Sequence, residues 1–394
     1  MAKGRLIVLK PDLTPVTVEQ NILYFECSRN ENATGAFSCA MPMRPEFETI
    51  GCDWVLEFQR SFDGGTTWVN DSQTLWFSRS IAIDVGPTTE TILITGTDAL
   101  GLLDRRIVAY LGAFNPEDGV NIPACKTGPA DDAIKQVVRE NFTIRGGIVD
   151  IPSYEFPGSV WAPLSGIDNR LKRGMAHVVV QPDVHAAQTV TGEITFAVVS
   201  EAVRSLADLA IENGERIVYD FVYDNATKRL AFTVWMNRRG ADLTKKVLFS
   251  PAAGNVTELR MTKDYSQEVT WMHVGGDGQA KNKIVTGVMA DTFARTPWYP
   301  IEGYIDAADT KNAVDLMTRK GKREINKRAA RWVFAAKAAE RAGNIFGVDY
   351  RYGDLVMVAH RGQSSPCRIK SFRVRYENGR ESELDIPLES EEIL

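Results

Sequence analysis

The chain has 394 residues, of which 44% are hydrophobic and 25% charged, with a formal net charge of -5 at pH 7. That length exceeds one ordinary core and predicts two to three domains, and the acidic balance argues against a protein that holds nucleic acid through its overall charge. No apolar run approaches the roughly 18–20 residues of a membrane span, and the patch Leu6–Leu9, ended by Lys10 and Pro11, is too short for a signal-peptide core, which predicts synthesis in a cytoplasm.

The first 110 residues or so read as strands. In DWVLEFQR (53–60), Trp54, Leu56 and Phe58 alternate with Val55, Glu57 and Gln59, the pattern of a half-buried strand. SFDGGTTW follows and fits Ser-x-Asp-x-Gly-x-Thr-Trp, the Asp-box of sialidases and other sugar-cleaving propellers. The chemistry of that string is structural. Ser61 and Asp63 can bond the backbone of a tight turn, Gly65 tolerates positive φ, and Thr67 and Trp68 open a return strand. Propellers repeat the box once per blade, whereas it occurs once here, and nothing in the sequence gathers the arginine cluster or Tyr–Glu pair of a sialidase. Ser61, Asp63, Gly65, Thr67 and Trp68 therefore read as a hairpin staple rather than an active site. Ile81–Val85 and Thr91–Thr95 are further short strands around Gly86-Pro87, and residues 96–111 a turn and another strand.

TGPADDAIKQVVRENF predicts a helix with Pro129 at its first position, Asp131 and Asp132 at the positive end of its dipole, and the apolar stripe Ile134, Val137, Val138 and Phe142. After a Pro- and Gly-rich stretch (150–174), MAHVVVQP and GEITFAVVS are strand candidates. Ser200 suits an N-cap for the next helix and Gly214 its C-terminal cap. Two strands around Asp224-Asn225 complete an α/β unit over 125–245. Strands return after 245, in KKVLFS, EVTWMHVGG and KNKIVTGV. A long basic helix is expected over about 309–343, and three strands with an Asn378-Gly379 turn end the chain. The basic helix carries Arg319, Lys320, Lys322, Arg323, Lys327, Arg328 and Arg331, beside the apolar Ile325, Ala329, Trp332, Val333 and Ala336. Such a face can touch phosphates, stand solvated, or dock an acidic neighbour.

No nucleophile-elbow, Walker or dinucleotide-binding string occurs, and HVGGDGQ lacks the alternating ligands of a calcium loop. The five cysteines are widely spaced without a C-x-x-C, and the four histidines form no metal-binding spacing. His177 and His273 sit in strand-like runs and read as structural. The sequence thus predicts no enzyme, and no catalytic, cofactor-binding or metal-ligating residue.

DWVLEFQRSFDGGTTW resembles an N-terminal stretch of the tail hub (baseplate hub) proteins of long-tailed, siphovirus-type phages. In the same order, PADDAIKQVVREN is similar to that family's helix between first β region and insert, KKVLFSPAAGNV to its F-S-x-x-x-G-N stretch, and YGDLVMV with the closing strands to its C-terminal barrel end. PIEGYIDAADT departs from the Arg-Glu pair expected to open the last segment. The resemblance implies a β-rich α+β protein in which two tube-forming β-barrel domains (1–112 and 246–394) flank an inserted α/β domain (125–245). It implies a structural virion protein at the tail tip: a homotrimeric ring that continues the tail tube and meets the distal tail ring, the tape-measure protein and tail tip or receptor-binding proteins. It implies no cofactor and no specific nucleic-acid binding beyond DNA transit through the channel. A distal tail protein, a carbohydrate-binding tip module and a tail-associated glycosidase are the alternatives.

Overall fold

The computed structural model describes residues 3–108, 114–115, 120–121, 124–143, 175–194, 197–278, 282–294, 298–308, 313–378 and 380–390. The chain is β-rich with a few helices and divides into two compact units that do not follow chain order. One gathers residues 1–247, 338–356 and 369–387; the other gathers 248–337, 357–368 and 388–394.

The first unit opens with strands β1 (Lys3–Leu9), β2 (Pro15–Glu19), β3 (Tyr24–Asn30), β4 (Ala33–Pro42), β5 (Val55–Ser61), β6 (Trp76–Val85) and β7 (Glu90–Asp98). A two-residue ladder follows, β8 (Phe114–Asn115) with β9 (Val120–Asn121). Then come β10 (Ala124–Pro129), helix α1 (Ala130–Phe142), β11 (Val178–Val180), β12 (Thr189–Ile194), helix α2 (Val199–Glu212), β13 (Ile217–Asp224) and β14 (Arg229–Met236). Late strands β23 (Ser371–Glu377) and β24 (Arg380–Asp385) join the first sheet, whose order is β2-β1-β24-β23-β3-β4-β7-β6-β5. Strand β1 also pairs with β5 from Lys3↔Ser61 to Leu9↔Val55, so the sheet curls back on itself.

Curling explains why β5 is buried at every residue and not on one face alone. Leu56 and Phe58 point inward, where Phe58 stacks on Phe25 (ring centroids 4.1 Å apart) and meets Tyr376 edge-on at 5.1 Å. On the outer face, Val55 joins the core that also holds Phe77, the α1 stripe Ile134, Val137, Val138 and Phe142, and Val203, Leu206 and Phe221. Glu57 and Gln59, expected to meet solvent, are buried and bond each other at 2.7 Å, and Gln59 Oε1 accepts from Arg5 Nε at 2.8 Å. The segment 125–245, expected as an insert of its own, shares this core with the first sheet because α1 and α2 bury their apolar faces against it.

Local signals place some caps and miss others. Gly214 has φ +79° and its N–H reaches the Ile211 carbonyl at 2.8 Å. Helix α2 begins one residue before Ser200, with Val198 at the cap and no side-chain capping bond. Residues 99–105, read from sequence as a turn leading into a strand, are a 3-10 helix capped by the Asp98 carboxylate, which accepts from the Leu100 N–H at 3.1 Å.

The second unit holds a six-stranded sheet, ordered β15 (Leu248–Phe249), β21 (Leu355–His360), β22 (Gln363–Arg368), β25 (Pro387–Ser390), β20 (Arg331–Ala338) and β16 (Val256–Asp264). Among the described residues no pairing joins its two edge strands. A three-stranded sheet, β18 (Val285–Met289), β17 (Trp271–Gly275) and β19 (Glu302–Asp306), carries helix α3 (Val314–Arg328) on one face. Met317, Gly321 and Ile325, one turn apart, bury against Met272, Val274 and Val288. Gly321 permits this approach: a Cβ there would stand 2.6 Å from Val274 and 2.8 Å from Val288.

The helix expected over 309–343 is shorter, and residues 309–312 lie outside the described residues. It ends at Arg328, and Arg331–Ala338 is strand β20. Trp332, Val333 and Ala336 therefore belong to a strand and give the helix no apolar face. Val333 and Trp332 are β-prone, and pairing within the six-stranded sheet outweighs the helix preference of the alanines.

Candidate functional site

The Asp63 hairpin follows β5. Ser61 Oγ donates to Asp63 Oδ1 at 2.8 Å and accepts from the Gly65 N–H at 2.9 Å. Asp63 accepts from the N–H groups of Thr66 at 3.0 Å and Thr67 at 2.9 Å. Gly64 and Gly65 take φ of +81° and +107°, and Trp68 Nε1 donates to the Gly65 carbonyl at 3.0 Å. The Thr67 and Thr66 N–H groups and the Ser61 hydroxyl stabilise the ionised form, and hold the Asp63 carboxyl well below the usual carboxylate range. Both its oxygens are committed to the turn, and Arg5 lies over the Trp68 ring at 4.3 Å.

Two buried guanidinium knots lie in the first unit. Arg29 Nε donates to Asp98 at 2.8 Å, Nη1 to the Ser72 carbonyl at 3.0 Å and Nη2 to Asp220 at 2.5 Å. Arg239 pairs with the other Asp220 oxygen at 2.9 Å, and Tyr352 faces both guanidinium groups, 5.3 and 4.9 Å from its ring centroid. A cavity of about 500 Å³ opens beside Arg239, Tyr352 and Asp354. Its charged groups are already engaged: Arg239 also donates to Gln73 at 3.1 Å, and Asp354 accepts from the N–H groups of Ala241 and Arg351 at 2.7 and 2.8 Å.

The second knot centres on Arg60, which is fully buried. Its Nε pairs with Asp71, Nη1 donates to Glu381 at 2.7 Å, Nη2 to the Phe346 carbonyl at 2.9 Å, and Glu340 sits 3.3 Å away. One cation thus faces three carboxylates. Burial pushes Glu340 up to about 7; Arg60 opposes this and Glu381 adds to it. These buried polar residues escaped the sequence reading because their partners lie far along the chain: Arg60 and Glu381 are 321 positions apart, Arg29 and Asp220 191.

On α3, Arg319, Lys322, Arg323 and Lys327 are exposed on the side opposite the buried stripe. Lys320 is half-buried, and Arg328 pairs with Glu324 at 2.7 Å. Arg331 opens β20 and is not a helix residue. His177 bonds the Lys228 carbonyl at 3.4 Å, and His273 lies 3.7 Å from Glu302. Cys27 and Cys39 are buried free thiols and Cys52 an exposed one; Cys367 is buried, its thiol 3.7 Å from the Ser365 carbonyl, and the side chain of Cys125 lies outside the described residues. Among the described residues, no group of His, Cys, Asp and Glu is arranged to hold a metal ion, and no helix is long and apolar enough to cross a membrane.

The fold is shared with solved structures. One is the 43 kDa tail protein of prophage MuSo2 from Shewanella oneidensis (13% identity, TM-score 0.55, 98% of each chain covered). Another is a tail protein from Neisseria meningitidis MC58 (10% identity, TM-score 0.51, 99% of this chain and 98% of that one). A lidded PdpA-VgrG complex from Francisella matches at 7% identity and TM-score 0.51, covering 99% of this chain and 52% of that one. No curated protein matches the sequence. A family model matches residues 6–387, nearly the whole chain, and bears out the resemblance to siphovirus proteins: the chain belongs to the Siphovirus ReqiPepy6 Gp37-like protein family.

Proposed function

We propose that the protein is a structural tail hub: three copies form a ring at the tail tip that continues the tail tube. The observation that carries this reading is the first sheet, which curls until β1 meets β5 and takes strands from both ends of the chain. A wall segment built this way is stiff, and the Arg60 and Arg29 knots and the Asp63 staple pin its strands. The family match over residues 6–387 and the fold shared with two tail proteins support the same role. Two β regions per chain in a trimer supply six wall segments, which suits a six-fold tube.

In this role the ring would meet the distal tail ring, hold the end of the tape-measure protein and carry tail tip or receptor-binding proteins, as part of the virion at host attachment and genome ejection. Residues 1–112 and 246–394 would both face the tube. The exposed cations of α3 would dock an acidic partner, and the protein would act without catalysis or cofactor. Electron microscopy of intact tail tips tests the reading. Three copies should surround the axis with both β regions in the wall. Six copies would assign the distal ring instead, and a position off the axis would remove the hub role.

A further inference from the structure

The face of the β18-β17-β19 sheet turned away from α3 is aromatic and partly open to solvent: Val285, Met289 and Tyr304 are exposed, and Trp271 and His273 half-buried. Register puts Trp271, His273 and Gly275 of β17 on that face, opposite Met289, Gly287 and Val285 of β18 and Glu302, Tyr304 and Asp306 of β19. Met289 and Tyr304 are 59% and 54% exposed. The two rings do not stand upright. The Trp271 indole lies across Gly287, where a Cβ would be 2.5 Å from Cζ2 and 3.2 Å from Cε2 and Cη2. The Tyr304 phenol reaches across Gly275, where a Cβ would meet its hydroxyl and Lys283 Cε. Both glycines are needed for rings reclined on a sheet. Phe293 and Tyr299 extend the aromatic surface, at 5.7 Å from Trp271 and 5.1 Å from Phe293, and the neighbouring Trp298 is 88% exposed.

Polar groups are set among the rings. His273 lies 3.7 Å from Glu302, and Lys283 lies 3.4 Å from Asp306. Each of these side chains is partly or largely open to solvent, so each keeps hydrogen-bonding capacity for a ligand.

We infer that this face is a binding platform for a neutral oligosaccharide, with Trp271 and Tyr304 as stacking surfaces and the His273–Glu302 and Lys283–Asp306 pairs as hydroxyl readers. A pyranose is amphipathic in the required way: its C–H face packs on a ring while its rim of hydroxyls both donates and accepts. Trp and Tyr combine an apolar face with a polar edge, and a carboxylate beside a cation offers an acceptor and a donor together. The centre of a protein interface is depleted of charge, whereas here the His273–Glu302 pair sits between the rings and the Lys283–Asp306 pair beside Tyr304. A nucleic acid would bring phosphates against Glu302 and Asp306. Rings and polar pairs spread over three strands suit an extended chain of sugars. This inference does not depend on the hub reading, and its failure would leave that reading as it stands.

The test uses the full chain and three neutral probes, cellotetraose, chitotetraose and maltotetraose, titrated to about 10 mM and followed by tryptophan fluorescence and by saturation transfer to sugar C–H protons. At least one probe should saturate with a Kd of about 1 mM or tighter. Tyr304→Ala, which removes an exposed ring and spares the α3 core, should weaken binding about tenfold, and Glu302→Gln should weaken it less. The inference is overturned if no probe binds by that concentration, or if binding is unchanged in Tyr304→Ala. It is equally overturned if a single-stranded oligonucleotide binds at Tyr304 and outcompetes the sugars.

Discussion

At the scale of single residues, two carboxyl groups give opposite pH dependences. Glu340 has an ordinary value near 4.5 and burial raises it to about 7, so between these values the folded chain holds a proton that the unfolded chain has released. Its stabilising contribution is complete below the lower value and is lost as pH rises through the upper one, an effect of about 3 kcal/mol. Glu340→Gln should remove this slope. Melting curves from about pH 5 to about pH 8 should fall more steeply for the wild type than for the variant, and parallel curves would refute the assignment. Asp63 runs the other way. Its folded value is depressed, so its contribution is present above the ordinary carboxylate range and fades as pH falls below it. Asp63→Ala should lower Tm by about 2 °C at neutral pH, with a smaller difference in acid. Hydrolysis of a sialoside by the wild type, abolished by this substitution, would instead make the hairpin an active site.

Among the elements, the sequence was most legible where structure is local. The α1 stripe, the β13–β14 hairpin and the cap at Gly214 follow from periodicity and turn chemistry within a few residues. Legibility failed where a partner element decides. Alanines in RWVFAAKA read as helix until a neighbouring strand offers its ladder, and the polar residues of β5 read as solvent-facing until both faces are covered. The candidate site shows the same split: the Asp63 turn is written in eight consecutive residues, whereas the sugar platform exists only through the register of three strands. The corrected end of α3 also sharpens what the helix can do. Gly321→Val should destabilise its packing on Val274 and Val288 by about 1–3 kcal/mol, seen as early loss of amide protection in β17 and β18. Lys322→Glu with Arg323→Glu should leave stability within about 0.5 kcal/mol, since both side chains are exposed. Four cations without a surface that presents polar groups to a groove should hold DNA weakly and without sequence preference, releasing it by about 0.2 M salt. Sequence-selective binding that survives such salt would show a different surface.

At the scale of the molecule, composition and strand patterning gave a β-rich chain, but not which strands share a sheet. Contiguity suggested that residues after 245 build one region, yet β23 pairs with β3 from Ser371↔Asn30 to Glu377↔Tyr24. Phe372, Val374 and Tyr376 of that strand are buried, and Tyr376 packs on Phe58. Long-range strand pairing of this kind leaves no short-range signal, because its register is set by which faces must be covered. It has a consequence for folding. A fragment ending at residue 247 contains Arg60 and Asp71 but neither Glu340 nor Glu381, so folding it would bury the guanidinium with one of its three carboxylates. Removing partners from a buried ion cluster costs about 3–5 kcal/mol, and the missing hairpin would also leave β3 with an open edge and an exposed apolar row. The fragment should therefore lack a cooperative melting transition and expose apolar surface to a hydrophobic dye, whereas the full chain should melt cooperatively. Supplying residues 338–390 as a second polypeptide should restore the transition. A fragment 1–247 that melts cooperatively by itself, with protected amides in β3, would show that the C-terminal strands decorate a self-sufficient sheet instead of completing it.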